Sequence, residues 1–117
     1  MIRVKRVYDP PAPEDGARIL VDRLWPRGLT KAAARLDDWA KPLAPSDDLR
    51  RWYHAHPEGW NRFCERYREE LATPEAAQAL AALRARAKAG TVTLLFASKN
   101  LVRNNADALA EIVAQRR

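Results

Sequence analysis

The chain of 117 residues is 47% apolar and 31% charged, the balance of one soluble globular domain over 1–117, with enough residues to bury a core. No apolar run is long enough to span a bilayer, and Met1-Ile2-Arg3-Val4-Lys5-Arg6 lacks the apolar stretch of a signal peptide, so a cytoplasmic protein with no membrane partner is expected. A single cysteine, Cys64, excludes an internal disulfide and fits a reducing compartment, while a net charge of +6 admits either an anionic partner or a merely basic surface.

The charge is uneven. Residues 1–35 carry eight Lys/Arg against four Asp/Glu, residues 74–117 seven against three, and residues 36–73 six against eight. The basic ends also hold the predicted strands, which favours a phosphate, nucleotide or nucleic acid near the sheet.

In chain order, Ile2-Arg3-Val4-Lys5 alternates apolar and charged side chains and predicts a half-exposed strand reaching about Val7 or Tyr8. Three prolines and Gly16 make residues 9–16 a loop. It is too short for a helical crossover, which leaves the first two strands as antiparallel neighbours or an irregular pair. Ile19-Leu20-Val21 reads as a strand buried on both faces, turning polar at Asp22. Thr30 is placed to cap a helix over residues 31–40 that points Leu36 and Trp39 inward, with Pro42 and Pro45 as stops. Ser46 caps the next helix, whose first turn holds Asp47 and Asp48 and whose stripe is Leu49, Trp52 and Tyr53.

Pro57 suits the first position of a third helix. Its core face is Trp60, Phe63, Cys64, Tyr67 and Leu71; Glu58, Arg62, Glu65, Arg66 and Glu69 pair charges on the outer face. Thr73-Pro74 opens an alanine-rich helix closed by Gly90. Residues 91–97 form a β-rich apolar run expected beside, and parallel to, the strand at Ile19. A last helix opens at Asn104-Asn105 and shows Ala106, Leu109, Ala110 and Val113 on one face, and Arg116-Arg117 are expected to fray. The pattern is α/β: a small, mostly parallel sheet of about three strands covered by four to five helices.

Parallel strands place their carboxyl ends on one edge, where open α/β sheets hold ligands. That edge gathers Asp22, Arg23, Trp25 and Arg27 with Lys99, Asn100, Asn104 and Asn105. Arg27 and Lys99 suit an anion, Arg23 and Trp25 flank it, and the start of the last helix adds backbone N–H groups. Asp22 is the candidate general base or the group that orients Arg27, or else a carboxylate fixed by Arg23 or a backbone amide. Trp25 is a stacking surface or packing, and Asn104 or Asn105 a ligand contact or a cap. No phosphate-loop or dinucleotide glycine pattern is present. His54 and His56 stand two apart and complete no zinc set, so no metal and no cofactor is expected. Cys64 lies on the apolar stripe, where a thiol is inert.

The blocks Asp-Gly (15–16), Leu-Val-Asp-Arg-Leu-Trp-Pro-Arg-Gly (20–28), Leu-Ala-Pro-Ser (43–46), Leu-Arg-Arg-Trp-Tyr (49–53), Arg-Tyr-Arg-Glu-Glu-Leu (66–71) and Gly-Thr-Val-Thr-Leu-Leu-Phe-Ala (90–97) run in order through nearly the whole chain. In these the sequence resembles the YeaO-like proteins, a family of small bacterial proteins built on a domain of unknown function. The resemblance implies a small α/β domain and no established activity. Where that family tends to have an acid after the strand-end Ala-x-Lys, this chain has Asn100; where it tends to have Asn-His, this chain has Asn104-Asn105. More distant relatives carry a cysteine and a histidine in the same loop. If the family histidine is an acid/base catalyst, the resemblance implies that this member is weak or inactive.

Three functions compete: an enzyme or binder of a small phosphorylated or nucleotide-like ligand, a nucleic-acid-binding accessory protein, and a protein-interaction module. The second has charge but no recognition motif. The third draws on four tryptophans, any of which can serve as an anchor if exposed.

Overall fold

Val92–Phe96, the apolar run near the C-terminus, is the axis of the sheet. In the computed structural model, which describes residues 1–115, four parallel strands lie in the order β1-β4-β2-β3. They are β1 (Ile2–Arg6), β2 (Ala17–Leu20), β3 (Asp38–Trp39) and β4 (Val92–Phe96). β4 pairs on one side with β1, Ile2 opposite Val92 through Arg6 opposite Phe96, and on the other with β2, Ala17 opposite Val92. All five residues of β4 are buried. The two-residue side-chain period divides them between two cores. Val92, Leu94 and Phe96 join Ile19, Val21 and the helices in the larger cluster; Leu95 joins Val7 and Leu20 in a smaller one, covered by Trp25, Leu29, Leu36 and Trp39.

The parallel sheet and the parallel neighbours β2 and β4 are as expected, but there are four strands where about three were expected, and the pairing of the first two strands differs. β1 and β2 are not a pair, because β4 inserts between them. The loop at residues 9–16 therefore returns the chain to the amino end of the sheet with no more than a single 3-10 turn at Pro13–Asp15. It is fastened there by Thr93, whose hydroxyl donates to the Asp15 carbonyl at 2.6 Å. Gly16 has φ +63°, and a Cβ on it would lie 2.2 Å from the Thr91 carbonyl oxygen, so only glycine fits.

The helix expected over residues 31–40 is one turn, α1 (Lys31–Ala34), capped by the Thr30 hydroxyl, which accepts from the Ala33 amide at 3.1 Å. Arg35 takes a left-handed conformation, φ 47°, and ends it. Asp37 then competes for the backbone. Its carboxylate accepts from the Arg18 amide (2.7 Å) and its own amide donates to the Arg18 carbonyl (2.8 Å). Residues 38–39 are thereby drawn alongside β2 as the fourth strand, and Trp39 packs from a strand, not from a helix.

α2 (Asp47–Ala55) starts as expected, the Ser46 hydroxyl accepting from the Leu49 amide at 3.1 Å. Only Leu49 of its stripe is fully buried; Trp52 and Tyr53 are half-buried. α3 (Trp60–Glu70) begins three residues after Pro57, because the Gly59 amide closes a turn onto the His56 carbonyl at 2.8 Å. Its stripe packs as predicted, with Phe63, Tyr67 and Leu71 buried and Trp60 and Cys64 half-buried. The charge pairs expected on α3 are not formed among the described residues; helical ion pairs lie on α2, Arg50 to Asp47 at 2.8 Å and Arg51 to Asp47 at 3.2 Å. Arg66 lies instead over the Trp52 ring, 5.4 Å from its centre. α4 (Pro74–Ala89) and α5 (Asn105–Ala114) complete the larger core through Leu80, Leu83, Leu109, Ile112 and Val113. No helix among the described residues is long and apolar enough to cross a membrane. Arg116-Arg117, expected to fray, lie outside the described residues.

Candidate functional site

Because the strands are parallel, the carboxyl ends of β1, β4 and β2 share one edge. Asp22, just past β2, is the residue on which that edge converges. Its Oδ2 accepts from the Ala97 amide at 2.8 Å, just past β4, and its Oδ1 accepts from Asn105 Nδ2 at 2.9 Å, at the start of α5. The same Asn105 amide donates to the Val21 carbonyl at 2.9 Å, and the Trp39 indole donates to the Asp22 carbonyl at 2.7 Å. Asp22 therefore ties β2, β4, α5 and β3 together. The fixed-carboxylate reading of this residue is the one its geometry fits, with the Ala97 amide in the holding role and not Arg23.

Burial pushes the Asp22 carboxyl above its ordinary value, although the hydrogen bonds from Asn105 and Ala97 pull the other way. A raised native pKa means that the folded state holds this proton more tightly than the unfolded chain. The contribution is present below about pH 4 and is lost as pH rises through the native value. Asp22→Asn removes the charge and with it this loss. The stability of the variant relative to wild type, from urea unfolding, is expected to improve as the pH rises from about 4 through the native value, and then to level off. A difference that stays constant over that range would contradict the assignment.

The other predicted residues separate into builders and free cations. Arg23 donates to the Pro45 and Ala44 carbonyls at 3.3 and 3.4 Å, anchoring the β2 loop to the segment before α2. Trp25 donates to the Leu29 carbonyl at 2.6 Å and meets Trp39 edge to face at 5.3 Å, so its ring is packing. Asn100 shapes its own loop, its Oδ1 accepting from the Val102 and Arg103 amides at 3.1 and 3.2 Å. Asn104 is buried and caps α5: its Oδ1 accepts from the Asp107 amide at 2.9 Å, and its Nδ2 donates to the Asn100 carbonyl at 3.0 Å. Arg27 and Lys99 are exposed. The structure thus brings Asp22 to Asn105 and Asn100 to Asn104, and leaves Arg27 and Lys99 open.

Sequence reasoning missed the contribution of β1. Arg6 donates to the Ser98 and Ala97 carbonyls at 3.0 and 3.1 Å and stacks on Tyr8, 4.7 Å from the ring centre. The Tyr8 hydroxyl donates to the Arg27 carbonyl at 2.7 Å, joining the β1 and β2 loops. The signal was available, since a parallel first strand would have put Arg6 and Tyr8 on this edge. Arg103 adds a further cation; its carbonyl accepts from the Tyr53 hydroxyl at 3.1 Å. Among the described residues, ion pairs engage Lys5, Arg18, Arg50 and Arg51. Arg6, Arg23, Arg27, Lys99 and Arg103 are in none of them.

Other chemistry is sparse. Among the described residues no three His, Cys, Asp or Glu side chains come close enough to hold a metal ion. Burial, helped by Glu111, pushes the Cys64 thiol up, which suppresses the nucleophilic thiolate. Beside it lies an open cleft of about 260 Å³ between α3 and α5, lined by Trp60, Cys64, Arg68 and Glu111 among others, and by none of the predicted site residues.

The family model described as "Inactive DUF488-N3 subclade" matches residues 1–117. The chain belongs to that subclade. Its DUF488 relatives include the uncharacterized protein YeaO of Escherichia coli, 46% identical over 110 residues that cover 94% of each chain. An uncharacterized protein of Mycobacterium tuberculosis strain H37Rv is 43% identical over 112 residues, 96% of this chain and 92% of the relative, and one of Mycobacterium bovis matches to the same extent. No solved structure matches the chain.

Proposed function

We propose that this DUF488 domain binds a phosphate-bearing ligand, a small phosphorylated or nucleotide-like molecule, at the carboxyl edge of its sheet and does not turn it over. The observation that carries the reading is the contrast between the edge's two kinds of polar group. Both oxygens of Asp22, the one candidate base, are engaged by Ala97 and Asn105, and no histidine, cysteine or second carboxylate hydrogen-bonds to it among the described residues. Arg27 and Lys99 are exposed and in no ion pair among the described residues, and an arginine in that state suits bidentate capture of phosphate. The naming of the subclade as inactive points the same way, as do Asn100 and Asn105 at positions where the YeaO-like pattern favours an acid and a histidine.

A nucleic acid is the weaker candidate. Base stacking needs free aromatic faces, whereas Trp25 is packed on Trp39 and Tyr8 is covered by Arg6. The test is a thermal-shift screen with inorganic phosphate, sugar phosphates, nucleotides, nucleosides and short oligonucleotides, at low and physiological salt. One phosphorylated compound should raise the melting temperature at both salts, by mass action on the native state. Arg27→Ala with Lys99→Ala should abolish the rise and leave the unliganded melting temperature within a few degrees. A double variant that binds as well as wild type would refute the assignment. Shifts from oligonucleotides alone, fading with salt, would favour the nucleic acid.

A further inference from the structure

The edge also carries large apolar side chains that no described residue covers. Leu24 is 61% exposed, Leu101 68% and Val102 77%. Each stands on one of the two loops that Asp22 clamps together, and each loop brackets its apolar tip with cations: Arg23 and Arg27 around Leu24, Lys99 and Arg103 around Leu101-Val102. The Asn100 side chain holds the Leu101-Val102 turn in shape by accepting from the two amides that follow Leu101. Three aliphatic side chains left in water at one edge of a small domain mark an interaction surface. Alternation of cations with protruding aliphatics restricts what that surface fits. Nucleic acid would call for free aromatic platforms, which are absent from these tips. A peptide docks its side chains into grooves, whereas side chains two-thirds exposed stand out from the surface. A fluid sheet of apolar chains beneath anionic phosphates accepts both features at once.

We propose that the carboxyl edge docks on an anionic membrane surface, with Leu24, Leu101 and Val102 entering the headgroup boundary and the exposed Arg27, Lys99 and Arg103 contacting lipid phosphates. The inference rests on the reading of this edge as a phosphate-binding surface, and it names phospholipid as the source of the phosphate. It departs from the expectation that no membrane is a partner, which followed from the lack of a spanning segment; attachment at a surface needs no such segment. Each cation near an anionic leaflet strengthens binding roughly fivefold, so a handful of cations with shallow apolar insertion suffices for reversible attachment.

The experiment is co-sedimentation of the full chain with phosphatidylcholine vesicles and with vesicles containing phosphatidylglycerol, alongside the phosphate panel above. The protein should pellet with the anionic vesicles and stay in solution with the neutral ones. The triple variant Leu24→Ser, Leu101→Ser, Val102→Ser should bind on the order of tenfold more weakly. Arg27→Glu with Lys99→Glu should weaken binding by roughly 25-fold or more. All these side chains are exposed, and a wild-type circular-dichroism melt confirms that each variant is folded. A thermal response to soluble phosphates without vesicle binding would overturn the membrane and leave the phosphate reading standing. Silence in both assays would overturn both. Vesicle binding that the triple serine variant does not weaken would reduce the effect to charge adsorption and overturn the docking face, as would preferential displacement by an oligonucleotide.

Discussion

Asp15→Ala is expected to lower the unfolding free energy by about 3–5 kcal/mol and the melting temperature by roughly 15 °C, more than any change at the candidate site. Asp15 is 1% exposed, and its Oδ2 accepts from Arg18 Nη1 at 2.6 Å, Lys5 Nζ at 3.1 Å and the Ala12 amide at 3.0 Å. Arg18 is itself buried, and its remaining donors go to the Ala34 and Arg35 carbonyls that end α1. Removing the carboxylate leaves a buried guanidinium without its counter-charge while the helix carbonyls still hold it in place. That penalty is the loss of compensation, not the worth of the pair, so Asp15→Leu with Arg18→Met should cost less than Asp15→Ala alone. The pH dependence runs opposite to that of Asp22. Burial pushes the Asp15 carboxyl up, but the Ala12 amide, Lys5 and Arg18 together outweigh it and hold it below its ordinary value. Its contribution is therefore present at neutral pH and lost as pH falls below about 4. Urea unfolding at neutral and acid pH checks both statements: Asp15→Asn should lack that acid-side loss, and a variant as stable as wild type would refute the account.

How much of this could be read from the chain differs by element, and the differences are physical. The stripe of α3 and the apolar run of β4 were legible, because a helix or strand that packs many large side chains imposes its period on the sequence. α1 and β3 were not. Residues 31–34 have helical propensity, but propensity is a weak prior; the Asp37 carboxylate and the pairing with β2 decide where the chain goes next, and both are tertiary. The place of β1 was hidden for a related reason: β4 lies 86 residues beyond it in sequence (Val92 against Arg6), and no local signal announces a partner so distant. At the site, the residue types at the edge of the sheet were foreseen, and Asp22 with Asn105 emerged as a pair. What spacing could not show was which donors were already used. Arg23, Asn100 and Asn104 spend their hydrogen bonds on building the loops, and only coordinates separate them from Arg27 and Lys99. The exposed aliphatics were invisible for the converse reason, since Leu24, Leu101 and Val102 look like any other core residues until their surroundings are known.

Phe63→Ala should be the second severe lesion, costing about 4 kcal/mol. The ring is buried and lies at the centre of an aromatic group: stacked on Tyr53 at 4.5 Å, and within 5.7 and 5.9 Å of Tyr67 and Trp60. These partners sit on α2 and α3 and cannot close the gap without moving a helix, so a cavity remains and its cost adds to the lost burial. Tyr67→Phe makes the graded comparison. It leaves the packing intact but strips the donor from the buried Leu43 carbonyl, and should cost only about 1–2 kcal/mol. Equal losses for the two variants would show that the hydroxyl and not the ring holds this region. The Phe63 lesion also separates stability from binding. Its ring reaches the edge at second hand, through Tyr53, whose hydroxyl donates to the Arg103 carbonyl, and through Trp60, over whose ring the Arg103 guanidinium lies. A ligand that binds the native state adds the same increment of free energy to a weakened fold as to an intact one, because that increment depends on concentration and affinity alone. A phosphate-bearing ligand should therefore still stabilise Phe63→Ala by the wild-type increment in unfolding free energy, from a lower starting point. Arg27→Ala with Lys99→Ala should show the reverse, near wild-type stability and no increment. An increment abolished in Phe63→Ala would mean that the ligand reaches the α2–α3 aromatic group and does not stop at the edge of the sheet.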